Sequence, residues 1–506
     1  MEVRPLPPEP ELVAADPPPC EHVPPDPGIA TVAQATTTSS ETLAVVVLAA
    51  GKGERLKSST PKVLHPVCGR PALWHVLQLA LAAKPTKIVV VVGHGADDVR
   101  AAVRSWGIEP RPVFVEQERQ LGTGHAVLAA RRAVGRVGHV LVANGDLDPI
   151  TPQDVVALLR RHRRTGAAVT IGATHLAEPG GYGRIVRDGR GRVARVVEGI
   201  DAAPAERAIH EVATNWMAFR RAELFRALPG VDRRNRQREY YLNRVIPLLL
   251  AQGERVEAVA CDTGGVLGLN ARDGLADVSR VLRGRINAAH MASGVTFVDP
   301  DATYVDVDVR IAPDAVIWPN TFLAGATTIG ARATIGPSSR LVDTVVGEDS
   351  EVAFSVTDRA TIGRGVTVGP FARLRPGAVL DDGSLVGNFV EVKGSRLGAG
   401  SKAKHLTYVG DAQIAEGVNI GAGTVFVNYD GYRKHTTVVG AGASIGSDTM
   451  LVAPVTIGEG AMTGAGSVIT QDVPAGALAV ARSAQTNVPG YRARRDTAQR
   501  RKGKGG

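Results

Sequence analysis

Apolar positions along the chain fall into two regimes. Between residues 44 and 272 short apolar runs alternate with segments of helical spacing. Val45–Leu48 leads into Gly51–Gly53, and Ile88–Val92 is a buried-strand run ending at Gly93. Val113–Val115, His139–Ala143 and Ala168–Ile171 are further strand candidates, while Pro71–Ala83, Thr123–Val134 and Pro152–Arg164 have helical spacing. This alternation predicts a mostly parallel sheet with helices on both faces. Residues 273–293 carry no strand signal, and Ala276–Met291 reads as one long helix joining two domains.

From about residue 294 the period changes. Ile329-Gly330, Ile335-Gly336, Ile362-Gly363, Val368-Gly369, Ile414, Ile420-Gly421, Val439-Gly440, Ile445-Gly446, Leu451 and Ile457-Gly458 follow a beat of aliphatic-Gly-x-x-small-x. This is the hexapeptide signature of a parallel β-helix. The aliphatic side chain fills a narrow prism, and glycine permits the corner turn. Asp472–Gly490 reads as a non-repeating end segment.

Composition narrows the class. A chain of 506 residues holds about three domains, or two large ones. Its 44% hydrophobic and 22% charged residues are ordinary for a soluble globular protein. Only 4% aromatics beside 58 glycines argue against a large aromatic core and for repeated tight turns. No run approaches the ~20 apolar residues of a membrane helix, which predicts no membrane insertion. The first 40 residues carry acids and prolines where a signal peptide needs an apolar core. Cys20, Cys68 and Cys261 are isolated, so no disulfide framework or zinc spacing follows, and a reducing cytoplasm fits.

The ends read differently. Residues 1–43 are Pro-rich with a Thr/Ser run and predict a disordered extension. Residues 491–506 gather Arg492, Arg494, Arg495, Arg500, Arg501, Lys502 and Lys504, part of a formal charge of +9. They read as a basic, disordered, solvated tail with no specific nucleic-acid partner. The rival reading makes both ends interaction arms that tether the chain to partners. The remaining excess charge suits phosphate-bearing substrates.

Chemistry enters at the end of the first strand. In Leu48-Ala49-Ala50-Gly51-Lys52-Gly53-Glu54-Arg55 small residues follow the strand directly, so backbone N–H groups can approach phosphates closely. Arg55 and Lys62 lie just beyond, where cations would neutralise a triphosphate. A plain strand-to-turn with two surface cations is the bland alternative. Together with Ser59-Thr60-Pro61-Lys62-Val63-Leu64, the run resembles the signature of sugar-nucleotide pyrophosphorylases. Gln117 and Leu121-Gly122-Thr123-Gly124-His125-Ala126 match that family's uracil-reading segment. Gly145-Asp146 matches its metal-binding Asp, and Gly181-Tyr182-Gly183-Arg184-Ile185 its sugar-side loop.

Joined to the hexapeptide region, residues 44–490 resemble a family of bifunctional enzymes. These are N-acetylglucosamine-1-phosphate uridyltransferase and glucosamine-1-phosphate N-acetyltransferase in one chain. The resemblance implies an α/β Rossmann-like nucleotidyltransferase domain over 44–272 and a linker helix over 273–293. A left-handed parallel β-helix acetyltransferase domain over 294–490 follows. It also implies a cytoplasmic homotrimer that uses Mg2+, UTP as uridyl donor and acetyl-CoA as acetyl donor. The product would be UDP-N-acetylglucosamine, a precursor of cell-wall and envelope polysaccharides.

By the same resemblance Leu48, Ala49, Ala50, Gly51 and Lys62 line the UTP site, and Arg55 and Lys62 stabilise the phosphates in catalysis. Gln117, Gly122 and Thr123 bind uracil, Gly183 and Glu198 hold the sugar, and Asp146 and Asn270 are the metal ligands, Asn270 also facing the UDP-sugar. Uridyl transfer itself needs mainly positioning and charge neutralisation.

Several runs depart from the family pattern. Tyr-Gly-Asp-x-Pro-Leu appears as Asn144-Gly145-Asp146-Leu147-Asp148-Pro149. Glu-x-Lys-Asp appears as Glu198-Gly199-Ile200-Asp201, without the Lys. Glu-x-Asn-(Thr/Ser)-Gly appears as Glu211-Val212-Ala213-Thr214-Asn215, and Asn-Asn-Arg as Asn270-Ala271-Arg272. Ala213 cannot supply an amide hydrogen bond, and an unpaired buried sugar hydroxyl costs ~1–3 kcal/mol. Two readings stay open: uridyl transfer is retained, with Asn215 as a partial substitute, or the chain is an acetyltransferase whose first domain is degenerate or takes another sugar phosphate.

The second domain keeps its motifs. Pro370–Gly377, Val386–Lys393, Lys404–Asp411, Asn419–Gly423 and Asn428–Gly431 match the family's acetyltransferase runs. Attack of a sugar amine on a thioester requires loss of a proton, for which an imidazole is a suitable base. The resemblance implies His405 as that base. Arg375, Lys393, Tyr408, Asn419 and Lys434 would bind the sugar phosphate. Ala422, Asn428, Tyr429, Ser447, Ala465 and Arg482 would contact acetyl-CoA.

Overall fold

The computed structural model describes residues 41–269 and 271–502. Most of the Pro-rich extension, the last four residues and Asn270 lie outside the described residues.

The first domain is built on nearly continuous apolar strands, the composition of a sheet buried on both faces. In chain order these are Leu43–Ala49 (β1), Lys87–Val92 (β2), Val113–Glu116 (β3), His139–Asn144 (β4), Val169–His175 (β5), Arg184–Arg187 (β6), Val193–Val197 (β7), Glu211–Arg220 (β8) and Val256–Ala260 (β9). The sheet order is β9–β5–β8–β4–β1–β2–β3, with β6 and β7 paired beside β8. β1 runs parallel to both β2 and β4. β8 runs antiparallel to β4 and β5, so the sheet is mixed at that side.

Successive side chains of β1 point to opposite faces. Val45 and Val47 join a core with Leu73, Val76 and Leu158 from the helices Ala72–Ala82 and Pro152–Thr165. Ala44 and Val46 join the opposite core with Val127, Phe225 and Ile246. The helix Pro152–Thr165 starts where Thr151 and Asp154 cap each other reciprocally, with Pro at the first helical position.

One helix, Arg272–Ala292, links the domains. Its apolar stripe is shared: Leu275, Val278 and Leu282 pack on the first domain's core, and Ile286 packs on the β-helix core. Arg70 Nε donates to Asp308 Oδ2 at 2.5 Å, and the Val307 N–H to the Cys68 carbonyl at 3.0 Å, closing the junction.

The second domain is a parallel β-helix of three sheets, with eleven, ten and nine short strands. Ile311, Ile329, Val346, Ile362, Leu380, Leu397 and Ile414 stack in register through the prism. The repeat glycines serve mainly a purpose other than the corner turn expected from the sequence. Gly336 and Gly369 do have positive φ. At Gly440, by contrast, a Cβ would lie 2.5 Å from the Glu459 nitrogen of the next coil, and at Gly421 2.4 Å from that of Ser447. Glycine is required there because the coils touch backbone to backbone.

Tyr491–Lys502, expected to be unstructured, is a 12-residue helix. Its Ala, Arg and Gln are strong helix formers, and Arg492 lies 3.7 Å from Asp496 in an i,i+4 pair. Among the described residues no helix is long and apolar enough to cross a membrane.

Gly440→Ala is expected to destabilise the β-helix by ~1–3 kcal/mol through overpacking. Gly284 lies inside the linking helix with nothing within 4 Å of an added Cβ. Gly284→Ala should therefore stabilise the chain by ~1 kcal/mol. Thermal unfolding followed by circular dichroism separates the two, and a lowered melting temperature for Gly284→Ala would contradict the packing argument.

Candidate active sites

In the first domain the loop after β1 carries the small residues. Gly53 has φ +63, and a Cβ on it would lie 2.6 Å from Lys62 Cβ. The loop can therefore lie flat against Lys62 only with glycine there. Lys62 Nζ meets Asp146 Oδ2 at 2.6 Å, at the carboxyl end of β4. The other oxygen of Asp146 is buried and has no hydrogen-bond partner.

A cavity of 480 Å3 opens over this loop, lined by Leu48, Ala50, Gly51, Arg55, Lys62, Gln117, Gly122, Thr123 and Asp146 among others. Ala49 is not in its wall; it is 2% exposed, inside the sheet. Gln117 Nε2 donates to the Gly122 carbonyl at 3.1 Å. Gly122, at φ +108, lies so close to Tyr240 that a Cβ would sit 2.7 Å from its carbonyl oxygen. The Leu242 N–H donates to Thr123 Oγ1 at 3.0 Å.

A second cavity of 650 Å3 abuts the first and contains Gly183 and Glu198. Arg55, Thr123, Asn144, Asp146 and Glu239 line both. Burial raises the Glu198 carboxyl above the usual range, opposed by the hydrogen bond from Asn243 Nδ2 at 2.7 Å. Ala213 and Ile200 line this same cavity. Asp148 lies behind it, 1% exposed. Burial, then the neighbouring Asp146, pushes its carboxyl up to about 7, while the donors of Asn215 pull the other way.

Glu239, Tyr241 and Asn243 also line the larger cavity and were missed in the sequence reading. A Tyr-Tyr pair in a chain with so few aromatics was the available signal.

The sites on the β-helix follow its coils. His405 ends the strand Lys402–His405 directly beside Asn388 on the preceding coil. His405 Nδ1 lies 2.5 Å from Asn388 Oδ1. A carbonyl oxygen only accepts, so Nδ1 is the donor in this bond, and in a neutral ring Nε2 is the nitrogen left to accept. Backbone hydrogen bonds carry the same corner onward, Gly423 to His405, Asp448 to Ala422 and Gly466 to Ser447. Arg482 Nη1 donates to the Ala465 carbonyl at 2.6 Å. Ala422, Ser447, Ala465 and Arg482 thus form a row along one edge of the prism.

The adjoining sheet carries the charges. Lys393 Nζ lies 2.8 Å from Asp411 Oδ1, and Asn428 Nδ2 donates to Asp411 Oδ2 at 2.6 Å. Arg375 Nη1 donates to Glu391 Oε1 at 2.9 Å. The bond to Asp411 raises Lys393, whereas Lys393 lowers the neighbouring Lys434, with Arg375 adding to the repulsion. Tyr408 and Asn428 both pack over Gly410, where a Cβ would lie 2.6 Å from the Tyr408 hydroxyl and 2.8 Å from Asn428 Nδ2. Asn419 stands outward on the neighbouring sheet, beside Lys402.

Val439 lies 25 positions beyond Ile414, its partner in register, whereas Ile414 lies 17 positions beyond Leu397. The excess forms a loop holding Tyr429, Asp430 and Lys434. Asp430 ties it by accepting from the Tyr432 and Arg433 N–H groups. Tyr429 is exposed, its hydroxyl donating to the Gly431 carbonyl at 2.6 Å.

Residues 45–241 match the MobA-like NTP transferase domain, and residues 436–471 match six bacterial transferase hexapeptide repeats. The Bifunctional protein GlmU of Thermobifida fusca is 47% identical over 459 residues, covering 90% of this chain and 94% of that protein. Its counterpart in Streptomyces avermitilis is 46% identical over 456 residues, 89% of this chain and 94% of that protein. That of Carboxydothermus hydrogenoformans is 44% identical over 447 residues, 88% and 99%. The chain belongs to the bifunctional GlmU family. As a GlmU-family chain it is a transferase of two domains, a nucleotidyltransferase and a hexapeptide-repeat domain.

In this GlmU-family chain Gly53→Ala would force Lys62 off Asp146 and strain the loop. The expected result is a rise of about tenfold in KM for the nucleotide. Acetyl transfer measured on the same preparation should stay unchanged, and an unaltered nucleotide KM would contradict the role given to the loop.

Proposed function

We propose that the chain makes UDP-N-acetylglucosamine in two steps. The β-helix transfers acetyl from acetyl-CoA to glucosamine-1-phosphate. The first domain then transfers uridyl from UTP to N-acetylglucosamine-1-phosphate and releases pyrophosphate. The observation that carries the second step is the junction of two cavities at Asp146. Two phosphorylated substrates must meet at one charged centre, and the shared wall supplies it.

In uridyl transfer a phosphate oxygen of the sugar phosphate attacks the α-phosphorus of UTP, and the bond to pyrophosphate breaks. Lys62 and Arg55 neutralise the phosphates, Gln117, Gly122 and Thr123 hold the base, and Gly183 and Glu198 orient the sugar. The unpartnered Asp146 oxygen fits a hard cation, and Asn270 is assigned as a second ligand. Among the described residues no group of three or more His, Cys, Asp and Glu could hold a metal by itself. Asp146 and Asn270 would hold Mg2+ together with oxygens from substrate phosphates and water. Bound there, Mg2+ would offset charge on both phosphates.

In acetyl transfer the sugar phosphate sits among Arg375, Lys393 and Lys434, with Tyr408 and Asn419 on its hydroxyls. Nε2 of His405 takes the proton as the amine adds to the thioester carbonyl; the C–S bond then breaks, the amide forms, and CoA leaves with a proton as the thiol. Acetyl-CoA lies along the edge formed by Ala422, Ser447, Ala465 and Arg482, beside Asn428 and Tyr429. Stacked Phe371 and Phe389, with Phe354 tilted against Phe371, line the outside of the prism. All three are exposed, as is Leu406. Such an apolar ladder supports burial against further copies in a homotrimer. Cys68 and Cys261 are free thiols, which supports a reducing, cytoplasmic setting.

Pyrophosphate release from UTP and N-acetylglucosamine-1-phosphate with Mg2+ is the direct test, expected to be positive. No release alongside intact acetyl transfer would overturn the uridyl assignment. His405→Ala should lower acetyl transfer ~10²–10⁴-fold and spare pyrophosphate release. Asp146→Asn should do the reverse. Full acetyl transfer in His405→Ala would remove the histidine from the role of base.

A further inference from the structure

Three residues that depart from the family runs form one hydrogen-bonded chain at the wall of the larger cavity. Asn144 Nδ2 donates to Asn215 Oδ1 at 2.9 Å. Asn215 in turn gives two donors to Asp148, its main-chain N–H to Oδ2 at 2.6 Å and Nδ2 to Oδ1 at 2.9 Å. Asn144 and Asn215 line the cavity, whereas Asp148 is buried behind them.

The backbone is shaped for this arrangement. β8 slips register against β5 between Ala213 and Met217, so Thr214, Asn215 and Trp216 stand opposite Gly172 alone. A Cβ at Gly172 would lie 2.3 Å from Thr214 Oγ1, so the bulge needs glycine across from it. Bulges re-aim side chains. Here the amide that residue 213 lacks stands two positions further along the strand, facing Asn144.

We infer that Asn144 and Asn215 recognise the sugar in the first domain, and that Asp148 is the positioning residue that fixes them. This rests on reading the larger cavity as the sugar-phosphate site. After the internal bonds Asn144 retains its carbonyl oxygen and one N–H, and Asn215 retains one N–H. An acceptor beside donors suits a substituent that both donates and accepts, a ring hydroxyl or an acetamido group. Asp148 spends both oxygens on Asn215, so its influence on a ligand passes through that residue. A site that holds such groups in place rejects analogues lacking the partner more strongly than a merely apolar wall does.

The test uses the full chain and three variants, Asn144→Ala, Asn215→Ala and Asp148→Asn. Pyrophosphate release is measured with N-acetylglucosamine-1-phosphate and with glucose-1-phosphate, each over a range of sugar, UTP and Mg2+. All three variants should raise the sugar-phosphate KM about tenfold. The UTP KM, the Mg2+ dependence and acetyl transfer should stay unchanged. A rise confined to N-acetylglucosamine-1-phosphate assigns the pair to the acetamido group, and an equal rise for both sugars assigns it to a shared hydroxyl. An unchanged sugar KM overturns the inference. So does an equal shift in UTP KM or Mg2+ dependence, which would make the network part of the metal site. Asn144→Ala leaves the Asp148–Asn215 bonds intact and guards against a misfolded variant. If the wild type releases no pyrophosphate with either sugar, the uridyl reading fails. Calorimetric binding of N-acetylglucosamine-1-phosphate to wild type and Asn215→Ala then decides the inference, and equal affinities overturn it.

Discussion

Parallel strand pairing is the constraint on which both domains depend. Two parallel strands cannot be joined by a tight hairpin, so the chain must cross over before it pairs again. In the first domain the crossovers leave the loops after β1 and β4 side by side at one end of the sheet. Gly51–Arg55 and Asp146 meet there because β1 and β4 are neighbours. In the β-helix the crossover is the rest of the coil, which runs through the other two sheets before it returns. Each coil lays its corner on the last, so His405, Ala422 and Ser447 come to lie along one edge though far apart in sequence.

Both sites hold their cations against carboxylates. Lys62 pairs with Asp146, Lys393 with Asp411 and Arg375 with Glu391. A lysine left half-buried without a partner would lose solvation and lower its own pKa. The pairs fix the ammonium groups in place, and the bond to Asp411 raises the proton affinity of Lys393. The charge is oriented in advance, with no loose side chain left to order. Lys434 differs: repulsion from Lys393, with Arg375 adding to it, outweighs the pull of Asp411 and lowers its proton affinity.

Departures from the family pattern are coupled in space. Read along the chain, Asn144, Asp148, Ala213 and Asn215 are scattered losses and gains. In the fold, Asn144, Asp148 and Asn215 are bonded to one another, and Ala213 lies on the same wall. Loss of Asn215 alone would leave the buried Asp148 carboxylate without these donors, which costs more than any single bond contributes.

The sequence by itself determined the two-domain division, the hexapeptide prism and the glycine-containing loop after the first strand. Each of these is written in local period: alternating strand and helix, a six-residue beat, and glycines directly after a strand. Tertiary structure alone decided the antiparallel course of β8, because a strand's direction depends on its neighbours and not on its own pattern. It decided that Gly421 and Gly440 serve coil contact, since the clash lies with residues of the next coil. It placed Glu239, Tyr241 and Asn243 in the cavity wall, and it turned Asp148 from a stray carboxylate into the partner of Asn215. The charge-rich final segment also escaped the sequence reading, because a basic composition marks solvation but does not preclude a helix of good formers.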